Sequence, residues 1–385
     1  MATVSAVPTL RASEANWVHS AVWDSFWMFS ALWGSACLAA FAAIFGLASA
    51  GPLLLVAGVF LAVSHSWSTT FMVIGSPLLA PARKQDRWKF TVAPIIIVVG
   101  SVVLGLAVGM NRAFPESTPL TSHNALWALY LGLFWVGHFW HFGNQDFGVL
   151  TIYRLKAGQV SQQRRRVDKG FAVAMMFVLQ PVVYFMAVSR SPFSEAFYSY
   201  VPVSPELVAV IAGVAVWLAV ILTLAIVVHE WSAPGRSMPK LFYYLVMVSH
   251  PVVLYNVDHR LGFFYLIGYF WSHWFIAIGL VGRINVNYYR NHGFGRLRAL
   301  SKHVFSIGGA IVAAALVFRF AFGPYDSFAG NDYKATLSQV RPEHEILLGL
   351  VLGLFLAEQL LHYYCDRSLF RFRDPNVRSA VAPLL

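Results

Sequence analysis

Ten stretches of this chain, near 27–50, 52–79, 92–110, 124–153, 170–188, 205–230, 240–257, 260–282, 304–322 and 344–364, run long and apolar with few or no charged side chains. A helix needs about 20 consecutive apolar residues to cross a hydrocarbon layer, and inside that layer every backbone N–H and C=O must be bonded within the chain. The expected class is therefore all-α: a polytopic integral membrane helix bundle with about ten transmembrane helices. Of the 385 residues, 58% are hydrophobic and 12% charged, against about 25% charged in an ordinary soluble domain. A soluble fold, a secreted disulfide scaffold and a disordered chain are excluded. The two cysteines, Cys37 and Cys365, form neither a disulfide framework nor a CxxC metal set.

The spans can be tested against the rule that Lys and Arg collect on the cytoplasmic side. With the N-terminus inside, the inner segments are the lead containing Arg11, the loops 81–91, 154–169, 231–240 and 283–303, and the tail after Cys365. They hold all 28 Lys and Arg except Arg112, Arg190, Arg260, Arg319, Lys334 and Arg341. Ten crossings with both termini cytoplasmic satisfy that bias. The domains that follow are a lead over 1–26, a transmembrane helical domain over 27–366 and a basic cytoplasmic tail over 367–385. Within the lead, residues 13–26 read either as a plain approach or as a short interfacial helix with Trp17, Ala21 and Val22 on one face and Asp24 off it. The start lacks a basic n-region and a cleavable h-region, so Met1 is expected to be retained.

In this setting the net charge of +11 speaks for anionic membrane lipid as a partner and not for nucleic acid. Arg164, Arg165 and Arg166 are expected to touch phospholipid and set topology. The expected location is the plasma (inner) membrane. No lysine is expected in the apolar interior of the ten spans, which excludes a retinal-type Schiff base.

Histidine carries the chemistry. Six of the 13 lie well inside apolar spans: His65, His138, His141, His250, His273 and His362. An ionisable side chain in hydrocarbon is costly unless it faces protein, water or a ligand, and imidazole is the commonest metal ligand. A packing role, with each ring bonded to a carbonyl or hydroxyl, is the plain alternative. In the fourth span His138, His141 and Gln145 stand at i, i+3 and i+7, so they project from one side of a helix, and Asp146 follows. In the last span Glu358, His362 and Asp366 at i, i+4 and i+8 stack two carboxylates and an imidazole in one stripe, either as catalytic and ligating groups or orienting His362 from behind. His65 sits in the hydroxyl-rich SHSWSTT, and His250 precedes Pro251, where a missing helix bond can open the backbone. The expected metal ligands are His65, His138, His141, His273 and His362, the catalytic carboxylates Glu358 and Asp366, and the supporting or substrate-side residues Gln145, Asp146 and His250.

Imidazoles with one or two carboxylates and no thiolate suit non-haem iron, with zinc or copper also able to bind. Iron at membrane depth, within walls that are 16% aromatic by composition, points to oxidation of a lipid-soluble substrate that arrives sideways from the bilayer. The HExxH of zinc hydrolases and the HxxxH and HxxHH boxes of desaturases are absent from the sequence. HFWHFGNQD (138–146) and HRLGFFYLIGYFWSH (259–273) resemble segments of the Brp/Blh-type bacterial β-carotene dioxygenases. That resemblance covers about 25 residues and implies non-haem iron held by His141, His259 and His273, with His65 standing at an early histidine box and a carotenoid or other isoprenoid as substrate. Three other classes stay open, one of them a structural or assembly membrane protein without chemistry. A haem b protein would use His259 and His273, 14 residues apart, with His123 and His138 on a second helix; a proton- or metal-coupled transporter would use scattered histidines and interrupted helices.

Overall fold

A computed structural model gives the architecture and describes residues 16–46, 61, 65–110, 122–189, 203–257, 259–292, 345–372 and 374–385. The described residues are helical and contain no strand. The helices are α1 (Ala21–Trp27), α2 (Ser30–Phe45), α3 (65–74), α4 (Ala80–Gln85), α5 (Ala93–Met110, entered through a π-turn at Trp88–Val92), α6 (Ser122–Lys156), α7 (Gln162–Val173), α8 (Gln180–Ser189, joined to α7 through a π segment at Ala174–Leu179), α9 (Pro205–Ser232), α10 (Met238–Asn256), α11 (His259–His292), α12 (Glu345–Leu369) and α13 (Pro375–Val381). The chain divides into two compact units, one of residues 1–44, 143–191 and 202–276, the other of residues 45–142, 192–201 and 277–385.

In the first unit, Ser20 caps α1 by accepting from the Trp23 amide at 3.2 Å. Asp24, which the sequence places off the apolar face, is fully buried: it accepts from the amides of Val18 and His19 at 2.9 and 3.1 Å and from the Tyr153 hydroxyl at 2.8 Å. The lead is thus tied to protein by its carboxylate. α2 crosses α11 backbone to backbone, because a Cβ on Gly268 would stand 2.5 Å from the Ser35 Cα.

Lys240, assigned above to the 231–240 loop, lies in the first turn of α10 and is fully buried. The premise that the spans hold no lysine is corrected here, and the reason is local charge pairing. Its ammonium meets Asp168 at 2.9 Å, Glu230 at 3.3 Å and the Gln159 side-chain oxygen at 3.2 Å. Arg154 pairs with the other Asp168 oxygen at 3.3 Å, and Tyr244 donates to the first. Burial pushes the Asp168 carboxyl up, and Lys240, Tyr244 and Arg154 pull against that shift without cancelling it. With every partner supplied by the chain, this cluster ties α7, α9 and α10 together.

In the second unit, α5 and α12 run antiparallel along facing glycines. A Cβ on Gly109 would lie 2.6 Å from the Glu345 carbonyl oxygen and from the Gly349 Cα, and one on Gly105 would overlap the Gly353 backbone. Gly105 with Gly109 and Gly349 with Gly353 are each spaced Gly-x-x-x-Gly, which puts both glycines of a pair on one face and lets two helices touch main chain to main chain. On another side, Val108, Tyr130 and Leu356 form a buried core, and the Tyr130 hydroxyl donates to the Leu352 carbonyl at 3.0 Å. The tail is ordered: Asp374 caps α13, Val377 and Val381 are buried, and Arg283 donates to the Leu385 carbonyl at 2.8 Å.

Among the described residues four helices are long and apolar enough to cross a membrane, at Trp88–Met110, Pro205–Ser232, Tyr265–Tyr288 and Glu345–Leu369; α1 with α2, bent by 51°, makes a fifth if taken as one span. Residues 52–60 and 62–64 of the expected span 52–79, and the whole of 304–322, lie outside the described residues. The expected spans 124–153 and 240–257 are helical but more polar, since they carry His138, His141, Asn144, Gln145 and Asp146 in one and Lys240 and His250 in the other.

Candidate metal centre

Three elements of the second unit bring four polar side chains together. His65 lies on α3, where the Ser68 hydroxyl donates to the His65 carbonyl at 2.8 Å. His141 comes from α6. His362 and Asp366, one turn apart, come from α12. All four are buried, and each offers a ligand atom within 4.8 Å of the others. The Asp366 carboxylate is the hub: its oxygens lie 4.0 Å from His65 Nε2, 3.6 Å from His141 Nε2 and 3.6 Å from His362 Nδ1. Ring centroids of His65 and His362 are 4.1 Å apart, and those of His141 and His362 4.7 Å.

Two observations bear on what this group can hold. Asp366 is 4% exposed, and neither of its oxygens, nor His362 Nδ1, makes a hydrogen bond among the described residues. The Thr69 hydroxyl is within reach of the carboxylate and also lies 3.5 Å from the His65 carbonyl. A carboxylate left this way in a dry interior is expensive unless a cation joins it. Donors bound about 2.0–2.2 Å from one ion stand roughly 3–4 Å apart, so the 3.6–4.0 Å separations seen here close on an ion with small shifts. Three imidazoles and a carboxylate without thiolate form a set that could hold iron, zinc or copper.

The other expected residues of this unit stand beside the group. His138 Nδ1 is 2.9 Å from the Tyr363 hydroxyl, which itself donates to Gln359 at 3.1 Å. A phenol has one proton to give, so Tyr363 accepts from His138, which places a hydrogen on Nδ1. The i, i+3 spacing leaves His138 and His141 about 60° apart around the helix, enough to turn one ring to Tyr363 and the other to Asp366. Glu358 accepts from Ser66 through one oxygen and from Gln359 through the other. It lies outside the four-residue group and links α12 to α3 behind it. Tyr363, which the sequence reading passed over, stacks on His141 with centroids 4.6 Å apart and planes 20° apart, fixing that ring.

His273, Gln145, Asp146 and His250 gather in the first unit. The Gln145 amide donates to the His273 carbonyl at 2.6 Å. Asp146 accepts from the Tyr243 hydroxyl at 2.5 Å and faces His273 Nε2 at 3.5 Å, while His273 Nδ1 lies 3.2 Å from the Tyr269 carbonyl. Because a carbonyl only accepts, Nδ1 carries hydrogen. His250 is sandwiched on Tyr265 and Tyr269, the latter with centroids 3.6 Å apart, and neither ring nitrogen has a hydrogen-bond partner among the described residues. α10 runs through Pro251 unbroken, so the expected opening before that proline is taken up by ring stacking. The side chains of His259 and His123 lie outside what is described.

Comparisons with family models, with curated proteins and with solved structures find no match to this chain. The geometry of the site carries the functional argument alone.

Proposed function

We propose that this chain is an integral membrane oxygenase in which His65, His141, His362 and Asp366 hold one non-haem iron ion, and that its substrate is a lipid-soluble molecule such as an isoprenoid, a carotenoid or another lipid. The observation that carries the reading is the buried Asp366 carboxylate with three imidazole nitrogens at 3.6–4.0 Å. When bound, iron supplies the activation of dioxygen for oxidation of an apolar substrate, as the N₃O donor set with open positions suits. The chain's own residues do the rest. Tyr363 fixes the His141 ring, Ser66 and Gln359 hold Glu358 behind α12, and the apolar helices keep water from the site.

The ten-crossing topology with cytoplasmic termini belongs to the same proposal. The antiparallel pairing of α5 with α12 supports it, because the third and tenth of ten crossings run in opposite directions. A haem b reading would draw on His138 and His273, which stand beside Tyr363 and Asp146. Proton-coupled transport is favoured by the buried His273–Asp146 pair at 3.5 Å.

Metal analysis of the purified full-length protein with its optical spectrum tests the proposal. Stoichiometric iron without a Soret band, lost in His141→Ala and retained in His138→Ala, is the expected result. A Soret band selects haem, another metal removes the iron assignment, and no stoichiometric metal leaves transport.

A further inference from the structure

Beside α4 the second unit carries a groove of about 800 Å³, within the roughly 300–1,000 Å³ of small-ligand sites, that the metal centre does not use. Its lining is divided by chemistry. Arg83, Lys84 and Arg87 are polar and cationic, whereas Phe90, Ile95 and Val99 on the following helix and Leu361 on α12 are apolar. Ile95 and Val99 are 57% and 56% exposed and belong to the Trp88–Met110 helix, so the medium they face along a crossing is hydrocarbon. The three cations sit just before that helix begins, at the depth of lipid headgroups, and Trp88, 65% exposed, stands where an interfacial aromatic belongs.

The nearby carboxylates are already engaged. Asp86 accepts from the Lys89 amide at 2.9 Å, and Asp374 pairs with the Lys89 ammonium at 3.2 Å. Among the described residues no carboxylate pairs with Arg83, Lys84 or Arg87. Arg83 spends one N–H on the Val73 carbonyl at 2.9 Å, which leaves most of its donors directed elsewhere. A soluble anion would leave the apolar wall unused, and a neutral lipid would leave three cations unmatched.

We infer that this groove is a binding site for an anionic phospholipid, its phosphate against Arg83, Lys84 and Arg87 and one acyl chain along Ile95 and Val99. The site is independent of the metal proposal, since it needs neither iron nor turnover. Juxtamembrane cations contribute about fivefold each to anionic-lipid affinity, so removing two should cost more than tenfold.

The test uses the full chain purified in detergent, exchanged into mixtures of phosphatidylglycerol and phosphatidylcholine with matched acyl chains, and examined by native mass spectrometry. One retained phosphatidylglycerol, preferred over phosphatidylcholine and not displaced by inorganic phosphate, is expected. Lys84→Gln/Arg87→Gln should release it by removing charge, and Val99→Trp should release it by filling the groove with the charges intact. Lys169→Gln/Arg236→Gln, two exposed basic residues of the first unit, should keep it, and melting temperatures identify any variant that fails to fold. Equal retention of the two lipids, loss in the Lys169/Arg236 control, displacement by phosphate, or release by the charge variant but not by Val99→Trp would each overturn the site.

Discussion

Gly100→Ala and Gly105→Ala, five residues apart on α5, should change stability in opposite directions. Each adds one methyl and should raise helix propensity by about 0.8–1 kcal/mol. At Gly100 nothing lies within 4 Å of the new Cβ, so that gain stands alone. At Gly105 the Cβ enters the Gly353 backbone and reaches to 2.6 Å from the Gly349 carbonyl oxygen. Ordinary contact needs about 3.5–4 Å, so the helices must part by roughly 1 Å. A gap of that size forfeits a quarter to a half of the dispersion energy along the seam, and overpacking of this kind costs about 1–3 kcal/mol. After the propensity gain, Gly105→Ala should be less stable by up to about 2 kcal/mol and Gly100→Ala more stable by up to about 1 kcal/mol. Thermal or denaturant unfolding of both variants in the same detergent, followed by circular dichroism, measures the difference. Equal shifts, or a stabilised Gly105→Ala, would show that the two backbones do not touch as described.

In the buried charge cluster, Lys240→Met leaves Asp168 and Glu230 facing each other without their shared cation and should cost about 3–5 kcal/mol, read as a lowered denaturation midpoint; a change under about 1 kcal/mol would place Lys240 in water. At the tail, burial opposes ionisation of Asp374, but the Lys89 ammonium and the amides of Val377 and Asn376 outweigh it and hold the carboxyl below its usual value. A depressed carboxylate adds stability above its unfolded pKa of about 3.9 that is lost as the pH falls through the lower, folded value. Asp374→Asn should therefore lower the melting temperature at pH 7 and have little effect near pH 2, and a pH-independent difference would refute the pairing. At the metal centre, Glu358→Gln should lower metal affinity by about 10–100-fold, as loss of a supporting contact does, while His362→Ala should abolish binding; equal losses in titrations with the same metal would make Glu358 a direct ligand. Chelation should raise amide exchange in residues 65–74 and 358–369 and leave the α5 face of the seam protected, and uniform exchange would detach the metal from this group.

Much of the fold was legible because apolar length has one physical meaning in a membrane, and the stretches around 92–110, 205–230 and 344–364 are almost free of competing charge. The stripe at His362 and Asp366 was legible for a similar reason, since i, i+4 spacing fixes two side chains on one face whatever lies opposite. The meeting of that stripe with His65 and His141 was not, because it depends on which helices are neighbours. His138 shows the limit of a shared-face argument: about 60° of rotation separates it from His141 and gives it a different partner. Lys240 was misplaced because counting charges along the chain assigns a boundary lysine to water, while Asp168 and Glu230, distant in sequence, hold it inside. The Gly-x-x-x-Gly pairs at 105–109 and 349–353 were a readable signal for the α5–α12 contact.

α12 divides its tasks along its length. Its first half is nearly all apolar and carries Gly349 and Gly353 against α5; its second half carries His362 and Asp366 into the polar group. Nine residues of rigid helix, about 13.5 Å, separate Gly353 from His362, so a tilt of only about 4° about the seam would move the imidazole by roughly 1 Å. Asp366, now 3.6 Å from His141 and 4.0 Å from His65 on the other helices, would then fall outside the span that bonds of about 2.0–2.2 Å can bridge. Gly137 on α6 guards the other side, where an added Cβ would stand 3.1 Å from Leu360 and 3.3 Å from the Tyr363 ring. A seam of glycines fixes this angle more tightly than long side chains could, because backbone atoms have no rotamers through which to yield. The close packing of α5 against α12 thus bears on the polar group as well as on stability, because it holds His362 and Asp366 where His65 and His141 meet them.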